Sequence, residues 1–161
     1  MAKNSDLSLE KIQARLKGKV MVLGIGNTMR SDDGAGSILA ARLKDKVPPE
    51  VIDAGAAPEN YLEKVIQKKP DTVVIFDAAD FGGKPGELRI LEAEDLKTAN
   101  LFSTHNASIS LVTNYLQSNL ALDIIILIIQ PKSIAFGDKL TKEVADSVDK
   151  IESFFLYAAE K

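Results

Sequence analysis

Five side chains in this sequence combine a reactive type with a loop placement: Asp32, Asp33, Asp77, Asp80 and His105. The first two lie in "VMVLGIGNTMRSDDGAG" (20–36), where an apolar run stops at glycines and then meets two acids. Asp77 closes the apolar stretch "DTVVIFDA" (71–78), and Asp80 follows three residues on. His105, the one histidine of the chain, sits in "LFSTHNASISL" (101–111). Two carboxylates and an imidazole form an O,O,N donor set that suits Zn, Ni, Mn or Fe better than Cu(I). The same trio at positions 33, 77 and 105 is equally able to run general acid–base chemistry around a water molecule. Sequence spacing leaves both readings open.

Each of these residues also has a purely structural reading. Asp is a preferred helix N-cap, and Asp32 stands just before a helical pattern over 33–44, so the sequence predicts that Asp32 caps that helix. One helix needs one cap, which leaves Asp33 to gain from the helix dipole and still point into the crevice. An acid at the end of a buried strand is costly unless it is paired or binds something, which makes Asp77 the acid most in need of a partner. Asp80 reads as a solvated turn acid. Thr104 and Asn106 flank His105 and are able to orient its ring, and Asn106 or Ser108 is expected to cap a helix over 107–119.

A nucleotide is a poor occupant for the first loop. Gly24-Ile25-Gly26 begins a G-x-G-x-x-G pattern, but Met29 replaces the third glycine, and no G-x-x-x-x-G-K-[ST] loop exists in the chain. Two acids where a pyrophosphate would lie add Coulomb repulsion. Gly34 and Gly36 thin the first helical turn, which suggests room for a bulky group against the backbone.

The elements that must position these loops alternate in kind. The segments 19–26, 50–55, 71–78 and 122–130 are short, apolar and rich in β-branched residues, as strands buried on both faces are. Segment 87–93 alternates polar and apolar residues after the turn-rich "FGGKPG" and predicts an edge strand, antiparallel to the rest. Helical spacing joins Ala35, Ile38, Leu39 and Leu43. It also joins Ile109, Val112 and Leu116, with Leu111 and Tyr115 widening that stripe. A long apolar face runs through Leu140, Val144, Val148, Ile151 and Phe155. Pro58-Glu59 opens a helix over 58–68 that Pro70 ends, and 7–17 carries a weaker helical pattern. Strand alternating with helix implies a three-layer α/β fold, a twisted and mostly parallel (mixed) sheet with helices on both faces. In such sheets the functional crevice lies beyond the carboxyl ends of the strands, which gathers the 32–33 loop and Asp77 at one rim.

The chain has 161 residues, 45% of them hydrophobic, and a formal net charge of −3, consistent with a single domain over 1–161 that includes an N-terminal extension over 1–18. The balance of charge offers no basic surface for nucleic acid. The absence of cysteine excludes disulfides, thiolate metal sites and a cysteine nucleophile. The first nineteen residues show no signal-peptide pattern, and the longest apolar run, 124–129, is too short to span a bilayer, so a cytoplasmic protein without membrane insertion is expected. Oligomeric state is not encoded in any feature of this kind.

Taken together, "LGIGNTMRSDDGAG", "VIFDAADFGGKPGELRI" and "STHNASI", with "VIDAGAAPEN" and "IIQPKSIAFGDKLT", resemble the motifs of the [NiFe]-hydrogenase maturation endopeptidases, in the same order and across residues 19–156. The chain is most similar to the branch that processes the large subunit of hydrogenase 3. The resemblance implies an endopeptidase that removes a C-terminal extension from the hydrogenase large-subunit precursor after nickel insertion. It implies that Asp33, Asp77 and His105 are the metal-contacting and catalytic residues. It also implies that nickel belongs to the precursor, with no resident cofactor. Asp33→Ala or His105→Ala is then expected to leave the fold intact, since neither residue is expected in the core. A resident-metal aminopeptidase or amidase, a nickel-binding maturation chaperone without peptidase activity, and a phospho-receiver-like module with Asp77 as acceptor are the alternatives.

Overall fold

The computed structural model describes residues 4–97 and 105–159. Five strands form one sheet: β1 (Val20–Ile25), β2 (Glu50–Gly55), β3 (Thr72–Ala78), β4 (Leu88–Leu91) and β5 (Asp123–Ile129). Their order is β2-β1-β3-β5-β4, with every pairing parallel except β4 with β5. Among the described residues five helices cover it: α1 (Asn4–Arg15), α2 (Ala35–Leu43), α3 (Leu62–Lys68), α4 (Asn106–Asn119) and α5 (Lys142–Ala159). The predicted three-layer mixed α/β architecture and the antiparallel edge strand are both present. The helix expected from Pro58 begins as a 3-10 turn over Pro58–Tyr61 and becomes α3 only at Leu62.

The sheet forms from these residues because both of its faces are covered. Every residue of β3 is buried, and β5, "DIIILII", is buried from Ile124 onward. Alternation with period two then divides the core. Val22, Val74, Phe76, Ile125 and Leu127 pack beneath α1, α2 and α5. Met21, Leu23, Val73, Ile75 and Ile126 pack beneath α3 and α4. Each fully buried aliphatic side chain contributes about 1.5–3 kcal/mol of transfer free energy.

Two differences from the sequence expectation have simple causes. Leu111 and Tyr115 of α4 are 53% and 39% exposed, outside the core stripe of Ile109, Val112 and Leu116. Each precedes a buried residue by one position, a rotation of about 100° around the helix. The N-terminal extension, by contrast, is a structural layer: Leu9 and Ile12 are buried in the core, and Arg15 pairs with Glu92 and Asp123.

The glycines after β1 serve packing. A Cβ at Gly24 would strike the Gly36 carbonyl and Ala40, and one at Gly36 would strike the carbonyls of Ile25 and Phe76. The space that Gly34 and Gly36 create is therefore filled by the protein itself, and α2 rides directly on β1 and β3. Among the described residues no helix is long and apolar enough to cross a membrane.

Candidate functional site

The strand order places the site. From β1 the chain moves through α2 to β2 on one side, whereas β3 lies on the other, so a crevice opens beyond the carboxyl ends of β1 and β3. Asp33 follows β1 in a 3-10 turn over Ser31–Gly34, and Asp77 is the penultimate residue of β3. Period two sets Asp77 on the same face as Val73 and Ile75, the face that α4 covers. His105 occupies the N-cap position of α4, with its carbonyl accepting from the Ile109 amide at 2.9 Å. The two side chains therefore meet. His105 Nδ1 lies 3.3 Å from Asp77 Oδ1, with the ring 6% exposed and the carboxylate wholly buried. Asp77 Oδ1 also accepts from the Ala78 amide at 2.9 Å.

Asp33 lines a pocket of about 180 Å³ together with Ala78, the residue after Asp77, and Asp80 and residues 131–134. Burial works against a charge on His105, but the hydrogen bond and charge of Asp77, and then the charge of Asp33, outweigh it. Arg30 opposes them, and the net effect raises the imidazole above its ordinary value. Asp77 and His105 are thus in contact, and Asp33 acts on the ring through its charge. Among the described residues no three His, Asp or Glu side chains are close enough together to hold a metal ion on their own. Asp33 is 2% exposed, so both it and His105 are more deeply set than the sequence suggested. Thr104, expected to orient the ring, lies outside the described residues.

Asp32 does something other than what the sequence suggested. No side-chain bond caps α2, whose N-cap position is Gly34. The Asp32 carboxylate is completely buried and faces the segment 131–141. Its Oδ2 accepts from the Lys132 amide (2.9 Å), the Ser133 amide (3.1 Å) and the Thr141 hydroxyl (2.8 Å), and its Oδ1 from the Thr141 amide (2.8 Å). Four donors to one carboxylate clasp that segment to the first loop. The N-cap position of α4 is His105, not Asn106 or Ser108, and the side chain of Asn106 lies outside the described residues. Asp80 is exposed as expected. Its carboxylate accepts from Gln130 Nε2 at 3.0 Å and the Gly82 amide at 2.9 Å, bonds that hold it below the usual carboxylate range. Gln130, not singled out by the sequence reading, is buried and also accepts from the amides of Phe81 and Gly83, which ties the β3–β4 turn to the rim. A Gln-Pro pair ending an apolar strand was its available signal.

The hydrogenase maturation protease family model (HycI) matches residues 36–157, about three-quarters of the sequence. The chain belongs to the hydrogenase maturation protease family. The Hydrogenase 3 maturation protease of Escherichia coli (strain K12) is 34% identical over 135 residues, covering 81% of this chain and 85% of that protein. The crystal structure of a [NiFe] hydrogenase maturation protease HycI from Thermococcus kodakarensis KOD1 superimposes with a TM-score of 0.83 at 29% identity, covering 94% of this chain and 99% of that one. The solution structure of an endopeptidase HycI from Escherichia coli gives a TM-score of 0.77 at 33% identity, over 87% of this chain and 90% of that one. The chain is thus an enzyme, a peptidase of hydrogenase maturation. The protease carries its buried Asp–His pair on a fold that these relatives share.

Proposed function

We propose that this protease removes the C-terminal extension of a [NiFe]-hydrogenase large-subunit precursor once nickel has been inserted, and that it reads that nickel with Asp33, Asp77 and His105. The single observation that carries the reading is the buried His105–Asp77 contact at the switch-point rim, with Asp33 near enough for its charge to act on the ring. A carboxylate against one ring nitrogen fixes an imidazole so that the other nitrogen is presented to a metal or a proton. Asp33 and Asp77 add carboxylate oxygens, and the three together provide part of a coordination shell whose remainder the precursor supplies. Nickel enters as a part of the substrate.

Ligation requires a neutral ring, so nickel displaces the proton that Asp77 and Asp33 favour on His105. A carboxylate beside the scissile amide then takes a proton from the water that attacks the carbonyl carbon and passes it to the amide nitrogen as the C–N bond breaks, which releases the extension as a free amine. The chain has no cysteine and no G-x-S-x-G sequence, so direct attack by water fits better than an acyl-enzyme. Nickel adds binding energy that a nickel-free precursor lacks, and selectivity follows from that difference. The same reading places the reaction in the cytoplasm.

The test is incubation with the host organism's own large-subunit precursor, with and without nickel, followed by intact mass. Loss of the C-terminal fragment only from the nickel-loaded precursor is expected, together with its abolition in His105→Ala. Equal cleavage of nickel-free precursor would remove nickel from the account, and full-rate cleavage by His105→Ala would remove the imidazole.

A further inference from the structure

Three large apolar side chains stand out in solvent around the rim that holds Asp33: Met29 at 60% exposure, Ile134 at 39% and Phe136 at 83%. They come from two loops that are laced together. The Gly137 amide donates to the Met29 carbonyl at 2.9 Å, the Ser31 amide to the Gly137 carbonyl at 2.8 Å, and the Ser31 hydroxyl to the Ala135 carbonyl at 2.7 Å. Arg30 and Gly137 form a parallel β-bridge, so the residues before them, Met29 and Phe136, are lateral neighbours. The four-donor clasp on Asp32 fixes the rest of the 131–141 segment. Ile134 shares the wall of the pocket with Asp33, which makes the apolar patch continuous with the candidate catalytic rim.

Exposed apolar groups held on a rigid frame mark interaction sites, because docking on them removes apolar area from water and costs little ordering entropy. Of the cations beside the patch, Arg30 donates its Nε to the Ile134 carbonyl at 3.3 Å and Lys132 pairs with Glu143 at 3.1 Å, so both are engaged within the frame. We propose that Met29, Ile134 and Phe136 form a docking platform for an apolar stretch of the precursor protein beside the bond to be cut. This rests on the endopeptidase reading above. The platform holds the substrate chain, and the Asp–His rim does the chemistry, so the platform governs KM and the rim governs kcat.

The experiment compares the full-length wild type, Met29→Ser/Phe136→Ser, and the control Tyr157→Ser. Tyr157 is exposed near the carboxyl end of α5, which lies by the amino-terminal ends of the strands, away from the rim. Initial rates are measured on the nickel-loaded precursor across a range of concentrations, with sedimentation velocity on each variant. The double variant is expected to raise KM about tenfold, as loss of buried aromatic anchors does, with kcat nearly unchanged and Tyr157→Ser indistinguishable from wild type. Cleavage by the double variant at wild-type KM overturns the platform while leaving the protease reading intact. A wild-type dimer that the double variant splits, again with unchanged KM, assigns the patch to a second copy of this chain and overturns the platform as well. A wild type that leaves the precursor uncut overturns the endopeptidase reading itself, and the platform with it.

Discussion

Replacing Asp32 by Asn separates the two adjacent acids of the first loop by their roles. The Asp32 carboxylate receives four donors, three of them on Oδ2. An amide has a single acceptor oxygen. In its better orientation that oxygen keeps the Lys132, Ser133 and Thr141 hydroxyl donors, and its NH2 then confronts the Thr141 amide. One charge-assisted bond is lost, worth about 1.5–3 kcal/mol, and one buried N–H is left unpaired at about 1–3 kcal/mol. A destabilisation of about 2.5–6 kcal/mol is expected. For a domain of this size that lowers Tm by about 5–24 °C. Asp33→Asn, one residue along, keeps the side-chain size and the backbone bonds of the turn (the Asn27 amide to the Asp33 carbonyl at 3.0 Å, the Asp33 amide to the Arg30 carbonyl at 3.1 Å) while removing the charge that acts on His105, so a smaller fall in Tm than for Asp32→Asn is expected while cleavage fails. Calorimetry on both variants, with intact-mass assays of the precursor, measures the contrast. An Asp32→Asn protein melting within about 2 °C of wild type would show that the clasp contributes little and refute this reasoning.

Three further outcomes follow from packing and charge. As the only histidine, His105 gives one isolated imidazole signal in NMR, which should titrate above the ordinary histidine value and move down in Asp77→Asn, where the Asp77 charge that helps raise it is gone. Because the folded value is raised, this ionisation stabilises the protein below the ordinary histidine pKa. The contribution fades as pH rises through the folded value, so a flatter pH–stability curve is expected in Asp77→Asn. Ile12→Ala in α1 should cost about 2–5 kcal/mol in denaturant unfolding, because Ile12 is completely buried; a cost near zero would mean that α1 is not part of the core.

The sheet was legible because its strands are short apolar runs, and "DIIILII" and "TVVIFDA" admit few other readings. The partnership of Asp77 and His105 was indicated by resemblance, with topology supplying only a shared rim for Asp77 and the first loop. What local sequence concealed were contacts between distant segments. Asp32 looked like a helix cap because the helix is its sequence neighbour, whereas its actual donors lie at 132, 133 and 141. The burial of Asp33 and His105 was missed for a similar reason, since the pocket beside Asp33 is completed by Ala78 and residues 131–134. Leu111 and Tyr115 were misjudged because an apolar residue beside a core stripe satisfies helical periodicity loosely without facing inward. The apolar residues Met29, Ile134 and Phe136 carried no signal, since nothing local distinguishes an exposed aromatic from a buried one.

The bond between Asp32 and the Thr141 amide spans 109 residues. Contacts of such separation form late, after most of the loop-closure entropy has been overcome. A nascent or nicked polypeptide missing its last quarter would therefore have the acids but not the assembled rim. The geometry of the first loop thus depends on the residues that a ribosome adds last.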